Sequence, residues 1–583
     1  MSLIQYNNDQ KKISTIVKII LIAFFIICIR LIYLQIISGE NLLTMSKKNF
    51  LRIEKTFSYR GNILDCNGNH LVTTTPYSVL EWHGTGNKRL SEEQKKLLED
   101  LSPILEEDLT SPEILNQIRH TEIFHKHFQL SKELTLEKLS KIQEKFPLNA
   151  NLHISTKFKR LYPYKKLASH IVGYLGQLET EPSGKMGLEK ILDNTLKSEV
   201  GETLKIVNSF GRQLESKEIK QALAGQDIKT TLDLNLQQLV ELNFPEEVSG
   251  TIIMMDPENG AIKALVSRPN FDPTIFLSPI SQEDWSELQE DNTFLNRAFY
   301  ACYPPASIFK LVTLSAALET RITHKKEIFT CNGFYLYGNR KYLCANKSGH
   351  GHIKLKHAIA HSCNIPFLNI GSKISIDTIF DYAQRYGLNQ KTNSIMAEQT
   401  GLIPNKMWKK TTKGEKWWQG ETLSACIGQS FNSVTPIQIA RMFSSIFTKK
   451  LIKPRILLDE TIESSPLNIK QETLDFLKKS IRSTIKIGSG KKLNNIKDMI
   501  IYAKTGTAQT MALQKRNLSD DNLEHAWFVS HFQYKNKQPL VMVVLLERVG
   551  SSRVAVTITK NILLSYKNLM KNNTDQLLEE FNE

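Results

Sequence analysis

Residues 251–267 read TIIMMDPENGAIKALVS, and this stretch decides the class of fold. Two apolar runs flank the turn residues Pro257–Gly260 (PENG), so the stretch predicts a β-hairpin. Residues 526–548, AWFVSHFQYKNKQPLVMVVLLER, predict a second hairpin with a polar turn at 534–538. Helical patterns fill the sequence between the two hairpins. A sheet built from both ends of one domain, with helices inserted between them, is an α+β fold.

Composition limits the class of protein. The chain has 583 residues, too many for one ordinary domain of about 100–200 residues. Hydrophobic residues make up 41% and charged residues 23%, values that exclude a disordered or collagen-like chain. Seven cysteines in this length exclude a disulfide-dense secreted fold. The mean hydropathy of −0.27 excludes a polytopic membrane protein.

The charge balance is basic. Lysine and arginine number 75 against 59 aspartates and glutamates, which gives a formal net charge of +16. Such an excess suits nucleic acid, an anionic membrane or an anionic polymer. The charge is spread along the chain rather than gathered in blocks, so we expect no nucleic-acid partner.

The N-terminal region contains a candidate membrane span at 13–37, ISTIVKIILIAFFIICIRLIYLQII. Twenty-five mostly apolar residues suffice to cross a hydrocarbon core of about 30 Å, and Lys18 and Arg30 can snorkel toward the headgroups. Lys11 and Lys12 favour a cytoplasmic N-terminus, and no small-residue cleavage site follows. We expect a single-pass anchor in the cytoplasmic (inner) membrane rather than a buried core helix, with everything after residue 40 outside the cytoplasm.

The remainder divides into two parts. After a cytoplasmic tail at 1–12 and the anchor, residues 41–225 carry charged amphipathic helical runs and no evident chemistry. We expect this part to be a separate pedestal domain. The two hairpins fall in residues 226–570, and residues 571–583 are expected to form a C-terminal tail.

The first motif with chemistry is Ser307-Ile308-Phe309-Lys310, an S-x-x-K. On a helix, residues three apart share a face, so the lysine amine can take the serine proton and make a nucleophile. One such match alone is most often a solvated helix face, and 483–486 and 489–492 match as well. Only the first match follows a rigid Tyr-Pro-Pro turn and precedes a long apolar run.

The second motif is Ser362-Cys363-Asn364, an S-x-N. Its hydroxyl can relay a proton, and its amide can hold a substrate amide. Residues 430–432 (SFN) match equally well, so the spelling alone does not choose between them.

The third motif is Lys504-Thr505-Gly506-Thr507, which occurs once and follows an apolar strand-like run. The lysine offers a cation for a carboxylate. Gly506 lets a substrate backbone lie against the strand, and the Thr507 amide can form half of an oxyanion hole. The alternative is an ordinary strand end.

The three motifs in this order resemble the signature of serine penicillin-binding proteins and β-lactamases. Further pieces resemble the class B, monofunctional transpeptidases, from the anchor to about residue 560. These pieces are RGNILD at 60–65, RLYP at 160–163, HIVGY at 170–174, GLE at 187–189, TTLD at 230–233 and NRA at 296–298.

Three pieces resemble the elongation-type members of class B, the penicillin-binding protein 2 group. They are GLIP at 401–404 with Trp408-Lys409, IGQ at 427–429 with Thr435-Pro436, and HAWF at 525–528. The resemblance implies a single transmembrane helix, an extended pedestal of the dimerisation type, and a transpeptidase domain. That domain would be an antiparallel sheet with an inserted helical subdomain.

The resemblance also implies a mechanism for cross-linking peptidoglycan stem peptides. Ser307 would attack the penultimate D-Ala carbonyl, and a neighbouring amine would resolve the acyl-enzyme, with some carboxypeptidase activity. β-Lactams would acylate the same serine. In this scheme Lys310 is the general base and Ser362 and Asn364 are relay and substrate holder. Substrate binding would fall to the third motif: Lys504 and Thr505 for the carboxylate, Gly506 at the strand, and the Thr507 amide with that of Ser307 for the oxyanion.

The sequence departs from the family at two positions. Ala306 stands where the family usually has glycine, so we expect a slight shift of the turn without loss of chemistry. Cys66 stands where arginine is usual, which removes one polar contact near the membrane.

Four residues between the first two motifs form a candidate metal site: Cys331, Cys344, His350 and Cys363. Three thiolates and an imidazole suit a tetrahedral structural Zn²⁺. A Cys331–Cys344 disulfide and free buried thiols are alternatives. Elongation-type members of the resembled family hold a metal with side chains at matching places, which favours zinc. We therefore expect one structural Zn²⁺ per chain and no organic cofactor.

Several functions remain open at this point. The leading one is a D,D-transpeptidase of cell elongation and cell-shape maintenance, whose pedestal touches a membrane glycosyltransferase of the elongation machinery. A division-type septal transpeptidase shares the fold. A β-lactam-hydrolysing or β-lactam-sensing protein, and a non-enzymatic scaffold that activates the glycosyltransferase, are further alternatives. The complete set of motif residues argues against the scaffold alternative, in which the serine site would have lost its activity.

Overall fold

The computed structural model describes residues 2–124, 126–147, 149–176, 182–207, 213–509 and 523–580. Its helices are α1 Ser2–Ile32, α2 Gly39–Phe50, α3 Glu92–Leu105, α4 Pro112–Ile123, α5 Leu136–Lys145, α6 Ser169–Val172, α7 Gly187–Ile191, α8 Asp193–Leu196, α9 Leu234–Asn243, α10 Gln282–Glu290, α11 Lys310–Glu319, α12 Leu355–Ala360, α13 Ile365–Gly371, α14 Ile376–Arg385, α15 Lys406–Lys413, α16 Gln419–Ala425, α17 Pro436–Thr448, α18 Gln471–Lys486 and α19 Ser552–Glu580.

The strands are mostly short outside one large sheet. They are β1 Leu51–Thr56, β2 Ile63–Leu64, β3 His70–His83, β4 His127–Gln129, β5 Leu152–Leu161, β6 Leu175–Gly176, β7 Ser183–Gly184, β8 Gly201–Val207, β9 Gln213–Lys220, β10 Ile228–Lys229, β11 Gly250–Met255, β12 Ile262–Arg268, β13 Ile328–Cys331, β14 Phe334–Tyr337, β15 Arg340–Leu343, β16 Gly351–Lys354, β17 Lys450–Ile452, β18 Ser464–Pro466, β19 Met499–Ala508, β20 His525–Tyr534 and β21 Leu540–Leu546.

The N-terminal helix has the expected apolar span. Residues Ile13–Ile37 are long and apolar enough to cross a membrane, and none of this stretch is buried within the protein. The helix α1 continues into a π-helical turn at Tyr33–Ile37 before α2 begins. An exposed apolar helix of this length is consistent with a membrane anchor, and its orientation stays a prediction.

The chain divides into two compact units. One comprises residues up to Arg60, 74–159 and 197–225, and the other comprises 61–73, 160–196 and the chain from Gln226 onward. Two early stretches therefore belong with the C-terminal unit. The predicted C-terminal tail is helical as far as Glu580, and residues 581–583 lie outside the described residues.

The first unit contains an antiparallel sheet and a group of amphipathic helices. Strands β1, β8 and β9 form one antiparallel sheet. The helices α3, α4 and α5 bury leucine and isoleucine side chains around Trp82, which confirms the predicted surface helices. Helix α3 begins with a capping box, because Ser91 and Gln94 each bond the other's backbone N–H.

A five-stranded antiparallel sheet organises the second unit, in the order β12-β11-β21-β20-β19. Both predicted hairpins are present, as β11–β12 and β20–β21. In β11, Ile252 and Met254 face one hydrophobic core, and Ile253 and Met255 face the other. The sheet is therefore buried on both faces, which confirms the α+β plan with helices inserted between the two ends.

The helical insert places the candidate site at one edge of this sheet. Strand β19 lies at the edge and follows α18 in the chain. Every residue of α11 from Lys310 to Ala317 is buried. The short helical turn Ala306–Ile308, which precedes α11, lies against β19. The first and third motifs are thus brought together by the main core.

Candidate active site

Ser307 lies on a tight turn at the start of α11. The turn is a 3-10 helix at Ala306–Ile308, and Ser307 itself is half-buried. Ala306 adopts the left-handed region with φ of 49°, and its N–H donates to the Gly428 carbonyl at 2.9 Å. A Cβ on Gly428 would lie 2.0 Å from the Ala306 carbonyl oxygen, so only glycine permits this approach. Ala306 therefore adopts a left-handed conformation at the position where the resembled family usually has glycine.

Lys310 is fully buried and points at the S-x-N motif. Its Nζ donates to the Ser362 carbonyl at 2.9 Å and to Asn364 Oδ1 at 2.7 Å, and lies 3.5 Å from Ser362 Oγ. Burial lowers the pKa of Lys310 to about 8. A neutral amine has two N–H bonds, and the two close acceptors can take both of them. Its lone pair is then free to accept a proton.

The Ser307 hydroxyl makes no hydrogen bond within the part of the chain that the structure describes. Nucleophile–base hydrogen bonds are often long before substrate binds, so this leaves Lys310 as a possible base.

Ser362 connects the two lysines. It lies between α12 and α13 in the left-handed region, with φ of 55°. Its Oγ accepts from Lys504 Nζ at 3.0 Å, on the opposite side from Lys310. Two residues on, Asn364 donates from Nδ2 to the Leu343 carbonyl at 2.9 Å. A non-glycine residue in the left-handed region, held between two buried lysines, is typical of a functional site.

Lys504 lies in β19 and is fully buried. Burial, together with the nearby Lys310, lowers its pKa well below the usual value. Besides Ser362, its Nζ donates to the Thr505 carbonyl at 2.8 Å. In the structure without substrate, the Lys504 side chain therefore orients Ser362. Its implied contact with a substrate carboxylate stays a prediction.

The rest of the third motif borders the nucleophile turn. A Cβ on Gly506 would lie 3.1 Å from Trp527 Cβ and 3.5 Å from Ala306 Cβ, so glycine lets the turn lie close to the strand. Thr507 is half-buried, and its carbonyl accepts from Gln429 Nε2 at 3.2 Å. The loop at 428–429 thus holds both the Ser307 turn and the end of the third motif.

Ser489 is a site residue that sequence reasoning missed. Its Oγ lies 2.6 Å from Thr505 Oγ1. Its backbone N–H donates to the Ala360 carbonyl, which ends α12 just before Ser362. Ser489 belongs to one of the competing S-x-x-K matches, and that pattern does not predict a contact with Thr505.

Two of the competing matches, 430–432 and 483–486, stay outside the cluster. Asn432 is buried and donates to the Ala425 and Gln429 carbonyls. Ser483 donates to the Lys479 carbonyl within α18. Both have structural partners, whereas Ser362, Asn364 and Lys310 face one another.

The four candidate metal ligands lie together. The Sγ atoms of Cys331, Cys344 and Cys363 and a ring nitrogen of His350 lie within 4.8 Å of one another. His350 Nδ1 is 3.5 Å from the Sγ of both Cys331 and Cys344, and Cys344 Sγ is 3.8 Å from Cys363 Sγ. A tetrahedral zinc ion, with bonds of about 2.3 Å to sulfur and 2.0 Å to nitrogen, implies ligand separations of about 3.8 and 3.5 Å. The donor set and its spacing fit zinc.

The thiols of this cluster are free and differ in acidity. The Cys363 thiol donates to the Cys344 sulfur, and this hydrogen bond is the main reason that the pKa of Cys344 is lowered to about 4. The same interaction raises the pKa of Cys363. A thiolate in a buried cluster is the form that binds a metal. A second histidine, His352, lies two residues after His350 but is not part of this cluster. Its Nδ1 lies 3.1 Å from the Thr330 hydroxyl.

Two family models match the chain. Residues 250–564 match the penicillin binding protein transpeptidase domain. Residues 55–230 match the penicillin-binding protein dimerisation domain. The first match covers the large sheet and all three motifs.

Similar proteins are known from several bacteria. The peptidoglycan D,D-transpeptidase MrdA of Acinetobacter baumannii is 28% identical, over 94% of this chain and 86% of its own. A solved complex between the penicillin-binding protein PBP2 and MreC from Helicobacter pylori is 25% identical, with a TM-score of 0.73 over 90% of this chain and 99% of that one. A chain from a peptidoglycan synthase complex that coordinates polymerization and crosslinking is 26% identical, with a TM-score of 0.74 over 96% of this chain and 98% of that one.

Proposed function

Because the chain belongs to the class B penicillin-binding proteins, in the penicillin-binding protein 2 group, we propose that the Ser307 cluster is its catalytic centre. The protein is an elongation-type peptidoglycan D,D-transpeptidase. The observation that carries the residue assignment is the meeting of Lys310, Ser362, Asn364 and Lys504 beside a half-buried serine.

In the proposed acylation, Ser307 Oγ attacks the carbonyl of the penultimate D-Ala. Burial lowers the pKa of Lys310 to about 8, and in its neutral form the amine takes the serine proton through its free lone pair. Collapse of the tetrahedral intermediate breaks the peptide bond, and D-Ala leaves with a proton relayed through Ser362. The hydroxyl of Ser362 lies between Lys310 and Lys504, which makes such a relay short.

Backbone amides and hydroxyls serve the charged parts of the substrate. The amides of Ser307 and Thr507 stabilise the oxyanion, because the Ser307 turn and β19 lie side by side. Thr505 and Ser489, whose hydroxyls share a hydrogen bond, receive the terminal carboxylate. Lys504, next to Thr505 in the strand, takes part in binding the same carboxylate, and Asn364 holds the substrate amide.

Two fates are open to the acyl-enzyme. An amine from a neighbouring stem peptide attacks the ester carbon, forms the cross-link and returns the proton to Ser307. Water in place of the amine releases the shortened peptide, which is carboxypeptidase activity. We propose the second fate as a minor reaction of the same centre, and penicillins as acylating inhibitors of Ser307.

We also propose one structural Zn²⁺ held by Cys331, Cys344, His350 and Cys363. Four protein ligands leave no open position, so the ion supplies stability rather than catalysis. Cys363 is the middle residue of the S-x-N motif, so holding it fixes Ser362 and Asn364 on either side. The ligand separations support this proposal, and the free thiols are compatible with it.

The relatives support a proposal for the membrane setting and the partners. One relative is solved with MreC, and another belongs to a complex that coordinates polymerization with crosslinking. We propose that this chain is likewise used beside a membrane glycosyltransferase, with its N-terminus in the cytoplasm and Ser307 outside. Lys11 and Lys12, ahead of the apolar span, support that orientation.

A cross-linking assay tests the function. The full-length protein in detergent is incubated with uncross-linked peptidoglycan strands and the cognate glycosyltransferase, and muropeptides are separated after digestion. We expect cross-linked dimers with the wild type and none with Ser307→Ala. If Ser307→Ala still supports cross-linking, the residue assignment is wrong. Faster polymerisation without cross-links in both proteins would indicate a scaffold.

A further inference from the structure

The inner face of the hairpin β14–β15 contacts the rest of the second unit. In its register, Tyr335 lies opposite Tyr342 and Tyr337 opposite Arg340. The Tyr335 hydroxyl donates to Ser372 Oγ at 3.1 Å, and the Tyr342 hydroxyl donates to the Gly420 carbonyl at 3.0 Å. Tyrosines therefore fix the inner face, and the alternate residues point away from the protein.

The outer face of the hairpin is apolar and exposed. Phe334 lies opposite Leu343 and Leu336 opposite Lys341. Phe334, Leu336 and Leu343 are 37%, 62% and 44% exposed. The Lys341 ammonium lies over the Phe334 ring, 4.0 Å from its centroid. A solvent-facing hairpin surface normally carries polar residues, so three large apolar side chains with one cation indicate a binding surface.

This surface adjoins the catalytic cluster. The Leu343 carbonyl accepts the Asn364 side-chain amide at 2.9 Å, so one end of the hairpin borders the S-x-N motif. Leu336 and Lys341 lie two residues farther along the strands, about 7 Å from that end. The hairpin also stands between Cys331 and Cys344, which fixes both strands at their base. A polymer whose end occupies the Ser307 cleft therefore has this face within reach.

We propose that Phe334, Leu336, Lys341 and Leu343 form an extended subsite for the donor peptidoglycan strand, the strand whose stem peptide acylates Ser307. This subsite rests on the proposed function. The apolar side chains contact the apolar faces of the sugar and peptide, and the Lys341 ammonium binds a stem-peptide carboxylate. In the proposed mechanism Asn364 holds the peptide amide of the donor, and Asn364 lies next to Leu343. For this reason we favour the donor strand over the acceptor strand as the occupant of this subsite.

The test compares a probe that reaches only Ser307 with a substrate that reaches the hairpin. Full-length protein in detergent is given a fluorescent penicillin, a disaccharide pentapeptide monomer, or uncross-linked strands, and D-Ala release is measured for the last two. The variants are Leu336→Ser and Lys341→Gln, which change exposed side chains. Ile462→Ser, at a position 59% exposed in the same unit, is the matched control.

For each hairpin variant we expect kcat/KM for D-Ala release from strands to fall about ten-fold, the effect of losing one apolar contact or one ion pair. Penicillin acylation should stay within two-fold of wild type, and Ile462→Ser should match wild type throughout. Equal losses with penicillin and strands would show that the hairpin acts only through the fold of the S-x-N motif.

Unchanged D-Ala release from strands would overturn the subsite. Unchanged release with a loss of cross-links alone would place the acceptor there instead of the donor, which also contradicts the proposal. A wild-type protein that neither reacts with penicillin nor releases D-Ala would refute the proposed function itself, an outcome distinct from the others.

Discussion

The two sides of the Ser307 site are held in different ways. On one side, α11 is buried from Lys310 to Ala317, and β19 pairs with β20 from Met499 to Ala508. On the other side, the segment from Ile328 to Asn364 forms strands of four residues that pair only two by two. The first side is built on a buried helix and a five-stranded sheet, whereas the strands of the second side form two separate two-stranded sheets.

The difference gives the two sides different sources of stability. Each large apolar side chain that is fully buried contributes roughly 1.5–3 kcal/mol, so the first side can hold Ala306 in a left-handed conformation. The second side also buries apolar side chains, among them Phe329, Ile353, Leu355 and Ile359, but its strands belong to no large sheet. A metal that ties Cys331, Cys344, His350 and Cys363 would supply there what the core supplies on the first side.

The largest effect is expected from Lys310→Arg, which keeps the charge of the first side and removes its base. Arginine stays protonated, so acylation by penicillin should slow by about 10²–10⁴-fold. Stopped-flow measurement with a fluorescent penicillin checks this, with circular dichroism as the control for folding. Acylation within three-fold of wild type would exclude Lys310 as the general base.

The pH profile of acylation is expected to show the next largest effect. The pKa of Lys310 is lowered to about 8 by burial, and the neutral amine is the active form. The acylation rate should therefore rise about ten-fold per pH unit below that value and level off above it. A rate that is flat from about pH 6 to pH 9 would contradict this role. The profile should keep its shape in Ile462→Ser, which lies outside the site.

Cys344→Ser is expected to loosen the second side. Loss of one ligand should release the metal and lower the melting temperature by roughly 5–10 °C. Metal analysis of the purified protein and differential scanning calorimetry check both effects. Cys302→Ser, at an exposed cysteine outside the cluster, is the matched control. A metal-free folded wild type with Cys331 and Cys344 joined by a disulfide would refute the zinc proposal.

Ala306→Gly is expected to have the smallest effect, and it tests how well the first side accommodates alanine in this turn. Glycine relieves the left-handed strain at φ of 49° and loses one buried methyl group, and these effects oppose each other. Stability should change by less than about 1 kcal/mol and acylation by less than about two-fold. A larger gain in acylation rate would mean that alanine misplaces Ser307.

Local pattern and motif order predicted much of the molecule. The two hairpins had strong turn signals. Alternation of apolar and polar residues along their strands was not needed to predict them, because both faces of the sheet are buried. The three motifs could be separated from their competing matches by order and context. Two of the competitors have ordinary structural partners, as Asn432 and Ser483 show.

The contacts that sequence reasoning missed are tertiary. Ser489 meets Thr505 only because the turn after α18 lies beside β19, and no spacing rule connects them. Lys504 was expected to face a carboxylate, yet without substrate its nearest side-chain partner is Ser362. The Leu343 carbonyl beside Asn364 is a backbone group, which leaves no trace in the residue type.

Intact-mass spectrometry of the full-length protein after incubation with a penicillin, followed by peptide mapping, tests the central claim most directly. The account predicts one adduct, on the peptide that contains Ser307, and none in Ser307→Ala of confirmed fold. An adduct on a different serine, or a folded wild type that forms no adduct at all, would contradict the assignment of Ser307 as the acylated nucleophile.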